Sequence, residues 1–411
     1  MENCKPITEC LACGGTDLVP TLDLGEQPLA NNFRDNIIDP ELKFPLAVNR
    51  CSDCDHLQLT HAVDPKLIYT YYLYVSGTSG TYLEYMKWYA RFVLETYTTY
   101  TNKMGPYSVL DIGCNDGSQL DAFKEITFQT YGVDPAENLY PTSSAKHTVV
   151  CGFWDMNTCL SLPKVDVITT QNAFAHIPDP LSYLKLAGNH LKEDGKIFIS
   201  TSQADMVLNG EFDTIYHEHI SYYNAESMKC LAERAGLYLI DVVKTPIHGT
   251  SYIFVLSKKP YNRERVENIL AMESKLHRGS TYREWADNVN KLLIDLKEQI
   301  EIYRHWGHTI VGYGAAAKGM TLLNASQIHM DVVVDDNPLK QGMWCPGVDI
   351  PVDSIDYIKR LPEDALVVFV PLAWNFFREI HSRIKTVRNN PGDLFVRYFP
   401  KLDTIHDNNI S

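Results

Sequence analysis

Apolar positions along this chain recur at the period of a strand or of a helix, and the order of the two periods predicts its architecture. Tyr107-Ser108-Val109-Leu110 reads as a short buried strand, and Ser118-Gln119-Leu120-Asp121-Ala122-Phe123 as the start of a helix. Strands are also predicted at Thr130-Tyr131-Gly132-Val133, Val165-Asp166-Val167-Ile168-Thr169 and Lys196-Ile197-Phe198-Ile199-Ser200, alternating with helices from about 107 to 258. Ahead of them, Leu83, Met86, Ala90 and Val93 stand at helical spacing, so residues from about 66 to 100 read as helical before Pro106. A charged helical stretch follows near 261–304, broken around Gly279-Ser280. Its later half carries a stripe of Trp285, Val289, Leu292, Leu293, Leu296 and Ile300, which we read as packing. A second α/β unit starts at Thr309-Ile310-Val311 and runs through Val332-Val333-Val334 and the buried strand Ala365-Leu366-Val367-Val368-Phe369-Val370. No repeat of fixed period is found, and the polar tail after Asp403 is expected to fray. Strand and helix in alternation predict an α/β chain with doubly wound sheets.

At 411 residues and 45% hydrophobic content, the chain is long enough for two or three cored domains. We place them at 1–65, 66–260 and 306–411, with a helical connector over 261–305. A net charge of −14 argues against a general nucleic-acid binder, because phosphate contacts need Lys/Arg surfaces. There is no N-terminal signal pattern, and no apolar run approaches the ~20 residues of a membrane helix. A cytoplasmic protein, monomeric or homodimeric, with no membrane partner is therefore expected. Ten cysteines without a signal pattern suggest thiols that are free or on metal.

The turn Asp111-Ile112-Gly113-Cys114-Asn115-Asp116-Gly117 lies between a strand and a helix, the position of a nucleotide crevice. A dinucleotide site wants G-x-G-x-x-G for its pyrophosphate, but here Asn115 replaces the second glycine and acids flank the loop. Acids repel a pyrophosphate and suit a ligand with sulfonium and ammonium groups, which is S-adenosylmethionine (AdoMet). Asp134, ending the next strand, is placed to accept from ribose hydroxyls. Asn172, ending the strand after that, lies on the same ligand side. Cofactor candidates are thus Asp111, Gly113, Asn115, Asp116, Gly117, Asp134 and Asn172.

Cys10-x-x-Cys13 and Cys51-x-x-Cys54, each near turn residues, have the spacing of two zinc knuckles. Four sulfurs leave no open position, so the predicted zinc is structural. The other cysteines show no ligand spacing. The run Asp213 to Tyr223 gathers His217, Glu218, His219 and several tyrosines, but not at the H-E-x-x-H spacing of a zinc helix. It reads as a base oriented by a neighbouring acid, or as a satisfied polar loop. His176 starts from the same ligand side, and the Tyr71–Ser79 cluster is a candidate lid. In the second unit, Gly312-Tyr313-Gly314-Ala315-Ala316-Ala317-Lys318 opens a helix as a pyrophosphate loop does. Asp335 and Asp336 follow at ribose distance. Two crevices suggest a bisubstrate enzyme.

These motifs, with Leu24-Gly25-Glu26-Gln27-Pro28-Leu29-Ala30-Asn31, Tyr216-His217-Glu218-His219, Asp335 to Gly342 and Ala373-Trp374-Asn375, resemble those of the sugar C-methyltransferases acting on nucleotide-linked keto-deoxysugars. The likeness covers nearly the whole chain. It implies a zinc-binding N-terminal domain, a central AdoMet domain and a C-terminal domain that helps to hold the nucleotide sugar. It implies that His219 is the base and that Glu218, Tyr216, His176 and Tyr74 belong to the active site. Gly312, Gly314, Ala315, Lys318, Asp335, Asp336 and Lys340 would serve the nucleotide sugar. The expected reaction is methylation of the carbon next to the ketone, C3, through an enolate. The alternatives are O- or N-methylation, or a non-catalytic binding subunit. The chain departs from the family pattern at Thr201-Ser202-Gln203 and at His248-Gly249-Thr250-Ser251-Tyr252-Ile253, both bearing on the acceptor pocket.

Overall fold

The computed structural model describes residues 3–70, 72, 74–78, 80–202, 205–245, 250–261 and 264–406. Gln203, His248, Gly249, Tyr71, Leu73 and Ser79, singled out above, lie outside the described residues. Contacts divide the chain into two compact units. The first is Met1–Val19, Asn49–Asp205 and Ile220–His277; the second is Pro20–Val48, Met206–His219 and Arg278–Ser411. This division cuts across the limits 1–65 and 66–260, because two excursions of the chain pack with the C-terminal residues.

The first unit holds a seven-stranded sheet. In chain order its strands are Tyr107–Ile112 (β1), Phe128–Asp134 (β2), Thr148–Cys151 (β3), Val165–Gln171 (β4), Leu191–Ser202 (β5), Tyr238–Thr245 (β6) and Ser251–Ser257 (β7). Their spatial order is β6-β7-β5-β4-β1-β2-β3, with only β7 antiparallel to its neighbours. The chain winds away in opposite directions from β1 and β4, so the crevice opens at their C-terminal ends. Both faces are covered, as a parallel sheet requires. Leu110, Ile168 and Ile197 enter one core, with Leu184 and Leu231. Val109, Val167 and Phe198 enter the other, against Tyr89 and Val93 of the helix Gly80–Thr101.

The second unit carries Thr309–Tyr313 (β8), Val332–Val334 (β9), Val352–Asp353 (β10), Val367–Pro371 (β11), Leu394–Arg397 (β12) and Asp403–His406 (β13). The order is β10-β9-β8-β11-β12-β13, parallel except for β13. Residues 403–406 therefore do not fray. They pair with β12, and Thr404 is held by Gln299 and Tyr303 of the helix Gly279–His305. That helix begins at Gly279, so the expected break falls just before the glycine. Its stripe is packing: Trp285, Val289, Leu293, Leu296 and Ile300 are buried, and Leu292 sits at the margin. The stretch expected to be helical from 66 to 100 is two helices, Pro65–Tyr69 and Gly80–Thr101. Among the described residues no helix is long and apolar enough to cross a membrane.

Candidate active site

Each glycine turn is shaped by a residue with no room for a side chain. Gly113 has φ +83°, and a Cβ there would lie 2.6 Å from the Cβ of Ala173 after β4. Gly314 repeats the arrangement after β8, with φ +92° and Ala373 at 3.2 Å. In both units the acid ending the next strand ties back to the turn. Asp134 accepts from the Asn115 N–H at 2.7 Å and the Ala136 N–H at 2.9 Å. Asp335 accepts from the Ala315 N–H at 2.6 Å and the Asn337 N–H at 2.8 Å. Each of these carboxylates keeps further lone pairs for a ligand.

In the first crevice Asp111 is buried, and the Thr169 hydroxyl donates to it at 2.7 Å. Burial pushes its carboxyl up to about 7, against the lowering effect of Thr169. A buried acid without a cation is costly, and a cationic ligand at this turn removes that cost. The residues thus fit AdoMet. Asn172, at φ +53°, donates to the Tyr82 hydroxyl at 3.3 Å.

The side chains of Asn115 and Asp116 hold the candidate lid. Asn115 accepts from the Ser76 N–H at 2.9 Å and donates to the Tyr74 carbonyl at 3.0 Å. Asp116 accepts from the Gly77 N–H at 2.9 Å. Asn138 makes the same reciprocal clasp on Tyr72, at 3.1 and 2.9 Å. The strap so held carries a file of rings. Tyr74 lies 6.5 Å from Tyr72, Tyr72 lies 5.8 Å from Tyr69, and Tyr69 stacks on His176 at 5.4 Å and 8°. Burial lowers the His176 imidazole to about 4, so it is neutral at physiological pH.

The Tyr-His-Glu-His run is part of the second unit as far as His219. The Nδ1 of His219 lies 2.8 Å from the Thr214 carbonyl, which can only accept, so Nδ1 carries the proton. Nε2 is then the lone-pair nitrogen, and the Tyr216 hydroxyl donates to it at 2.9 Å. Glu218 is buried and accepts from Asn31 at 2.6 Å. His217 faces inward: its Nε2 donates to the Phe44 carbonyl at 3.2 Å, and burial lowers it to about 4. The two histidines of the run therefore differ in kind: the lone-pair nitrogen of His217 is its buried Nδ1, while that of His219 is the Nε2 facing the Tyr216 hydroxyl. Asp213 and Thr214 stand in the sequence only as the start of the polar run and Asn138 carries no signal there, although each holds a candidate residue or its loop.

At the second turn, Tyr313 donates to Asp336 at 3.0 Å, and Lys340 donates to the Ala315 carbonyl at 2.7 Å. Lys318 points to Asp213, 4.0 Å away, and over the Trp374 ring. Both lysines therefore brace protein groups.

The four cysteines form one cluster inside the first unit, with all ligand atoms within 4.8 Å of one another. Cys10 and Cys54 are 3.6 Å apart and Cys13 and Cys51 are 3.5 Å apart. A tetrahedron with Zn–S bonds of about 2.3 Å has edges of about 3.8 Å, so the set fits zinc. Cys10, Cys51 and Cys54 pack into the same core as β1 and β4.

Three family models match in chain order: a zinc binding domain over residues 10–69, a methyltransferase domain over 82–242 and a C-methyltransferase C-terminal domain over 246–400. The chain is 30% identical over 410 residues to C-methyltransferase NovU of Streptomyces niveus, covering 95% of this chain and 96% of that protein. It is 31% identical over 174 residues to a ubiquinone biosynthesis O-methyltransferase of Idiomarina loihiensis, covering 37% of this chain and 69% of that protein. A solved S-adenosylmethionine-dependent methyltransferase of Clostridium acetobutylicum aligns with 43% of this chain and 92% of its own, at 18% identity and TM-score 0.36.

Proposed function

The chain belongs to the family of AdoMet-dependent C-methyltransferases, and on that premise we propose that it methylates C3 of a nucleotide-linked 4-keto-6-deoxyhexose. Carbon is a poor nucleophile unless a neighbouring carbonyl makes its proton acidic. His219 removes that proton at Nε2, and the C–H electron pair passes into an enolate. The observation that carries this reading is the His219 tautomer: Thr214 fixes the proton on Nδ1 and leaves Nε2 basic. Glu218, buried in the same run, stabilises the imidazolium that results. The Tyr216 hydroxyl, released from Nε2, turns to the enolate oxygen as a donor. Neutral His176 is the second donor, as the family resemblance implies, and a neutral imidazole can donate without giving up its proton. When bound, AdoMet supplies the electrophilic methyl group.

Asp111, Gly113, Gly117, Asp134 and Asn172 are assigned to AdoMet, with Asn115 and Asp116 acting through the strap that bears Tyr74. Gly312, Gly314, Ala315, Asp335 and Asp336 are assigned to the nucleotide, with Lys318 and Lys340 shaping its loop. In functional terms we divide the chain into a zinc-binding part (1–65), an AdoMet part (66–260), a connector (261–305) and a nucleotide-sugar part (306–411) of a cytoplasmic enzyme. Zinc takes no part in the reaction.

Incubation with AdoMet and a panel of 4-keto-6-deoxy nucleotide sugars tests the proposal. The expected product gains one methyl by mass, with a carbon-bound methyl at C3 by NMR. An oxygen- or nitrogen-bound methyl would overturn the assigned chemistry. Binding of nucleotide sugars with no methyl gain across the panel would favour a non-catalytic subunit.

A further inference from the structure

Thr214 decides which nitrogen of His219 is basic, and the residue before it is a buried carboxylate. Asp213 is 1% exposed. Its Oδ2 accepts from the Trp374 indole N–H at 2.7 Å and from the Tyr398 hydroxyl at 2.8 Å. Its Oδ1 faces the Lys318 ammonium at 4.0 Å, and that ammonium lies 5.1 Å from the centre of the Trp374 ring. Lys318 stands in the first turn of the helix Ala317–Ser326 that follows β8, Trp374 follows β11 and Tyr398 follows β12. One carboxylate thus gathers groups from the C-terminal ends of three neighbouring strands, the edge where ligands of such sheets bind. Two backbone anchors flank it. The Trp285 indole donates to the Glu211 carbonyl at 2.9 Å, and the Thr321 hydroxyl donates to the Ile215 carbonyl at 3.0 Å. Every one of these contacts lies inside the second unit.

We propose that Asp213 is the positioning residue of the base: it fixes the Thr214 carbonyl, and through it the tautomer and direction of His219. Lys318 is its counter-ion, which explains why this lysine turns to protein and not to the mouth of the turn. A buried carboxylate needs such compensation, and two neutral donors alone do not supply a charge. The residues edging the assigned nucleotide crevice are then the same ones that hold the base, so acceptor binding and base geometry share one frame. This inference rests on His219 being the base.

The test follows exchange of the acceptor's α-proton with deuterated solvent, with S-adenosylhomocysteine in place of AdoMet, together with kcat and both KM values. Asp213→Ala should lower exchange and kcat in parallel, by about 10²-fold, the scale of a misplacement near 1 Å. Both KM values should stay near wild type. Asp213→Asn keeps an acceptor oxygen for Trp374 and Tyr398, so it should recover most of the loss. Trp374→Phe and Tyr398→Phe remove one donor each and should fall between, and they carry the test if Asp213→Ala does not fold. Wild-type exchange in Asp213→Ala, beside lost exchange in His219→Ala, overturns the positioning role and leaves the base assignment standing. Wild-type exchange in His219→Ala overturns the base assignment itself. Equal loss of kcat, both affinities and melting temperature, with no rescue by Asn, makes Asp213 a general packing residue and also overturns the proposal.

Discussion

Asp111 and Asp134 show how much a single side chain reveals of its task. The Asp111 carboxyl stands at about 7, raised by burial. Below that pH it is protonated and neutral, and above it the carboxylate is available to a cation. AdoMet affinity should therefore rise as pH increases from about 6 to 8, with proton uptake by buffer during binding below pH 7. Calorimetric titration of the wild type and Asp111→Asn checks this: the variant should lose the pH dependence, and an equally steep variant would refute the role. Asp134→Ala should weaken AdoMet by roughly 1.5–3 kcal/mol, the range of hydrogen bonds to a charged group. These acids were legible in the sequence because a charge beside a glycine turn is a local pattern. Thr214 was not, because it acts through its backbone carbonyl, and every residue type has one. Asp213 opens the polar run, but its role was not legible for a related reason: its partners Lys318, Trp374 and Tyr398 are far away in sequence and adjacent only after folding.

Strands were the most legible elements, since β1, β4 and β9 are short apolar runs set off by turns and acids, and β5 contains one at Lys196–Ser200 within its twelve residues. Their ends were less so. The tail at Thr404 looked free because its pattern is polar, yet backbone pairing to β12 needs no apolar side chain. The Tyr71–Ser79 cluster was read as a lid from its polar composition and its place before the sheet. Its described residues are held by two asparagines acting as backbone mimics, Asn115 and Asn138, and by Asp116, which accepts from the Gly77 N–H. Asn115→Ala removes two of those bonds, roughly 1–3 kcal/mol of strap stability. Faster hydrogen exchange across residues 74–77 and a raised KM for AdoMet are expected, with little change in melting temperature. Unaltered exchange in the variant would mean that the strap is held by other groups.

At the scale of the molecule, the cysteine spacing announced zinc, but not what the metal supports. Cys10, Cys51 and Cys54 belong to the core that contains Leu110 and Ile168, so the knuckles are part of the methyltransferase unit and not an appendage. Cys51→Ser should lose the one zinc per chain and lower the melting temperature of the first unit as a whole. Elemental analysis and calorimetry report both, and full zinc content in the variant would show that Cys51 is not a ligand. The sequence order also concealed that residues 206–219 fold with the C-terminal unit, because that membership depends on contacts such as Trp374 to Asp213. The proposed base is thus carried by the unit assigned to the acceptor. The most direct measurement is solvent deuterium exchange at the acceptor carbon, followed by NMR with S-adenosylhomocysteine bound, in wild type and His219→Ala. The wild type should exchange the C3 proton, while the variant binds both ligands and loses exchange and methylation by roughly 10²–10⁴-fold. Exchange and methylation at near wild-type rates in His219→Ala would contradict His219 as the base.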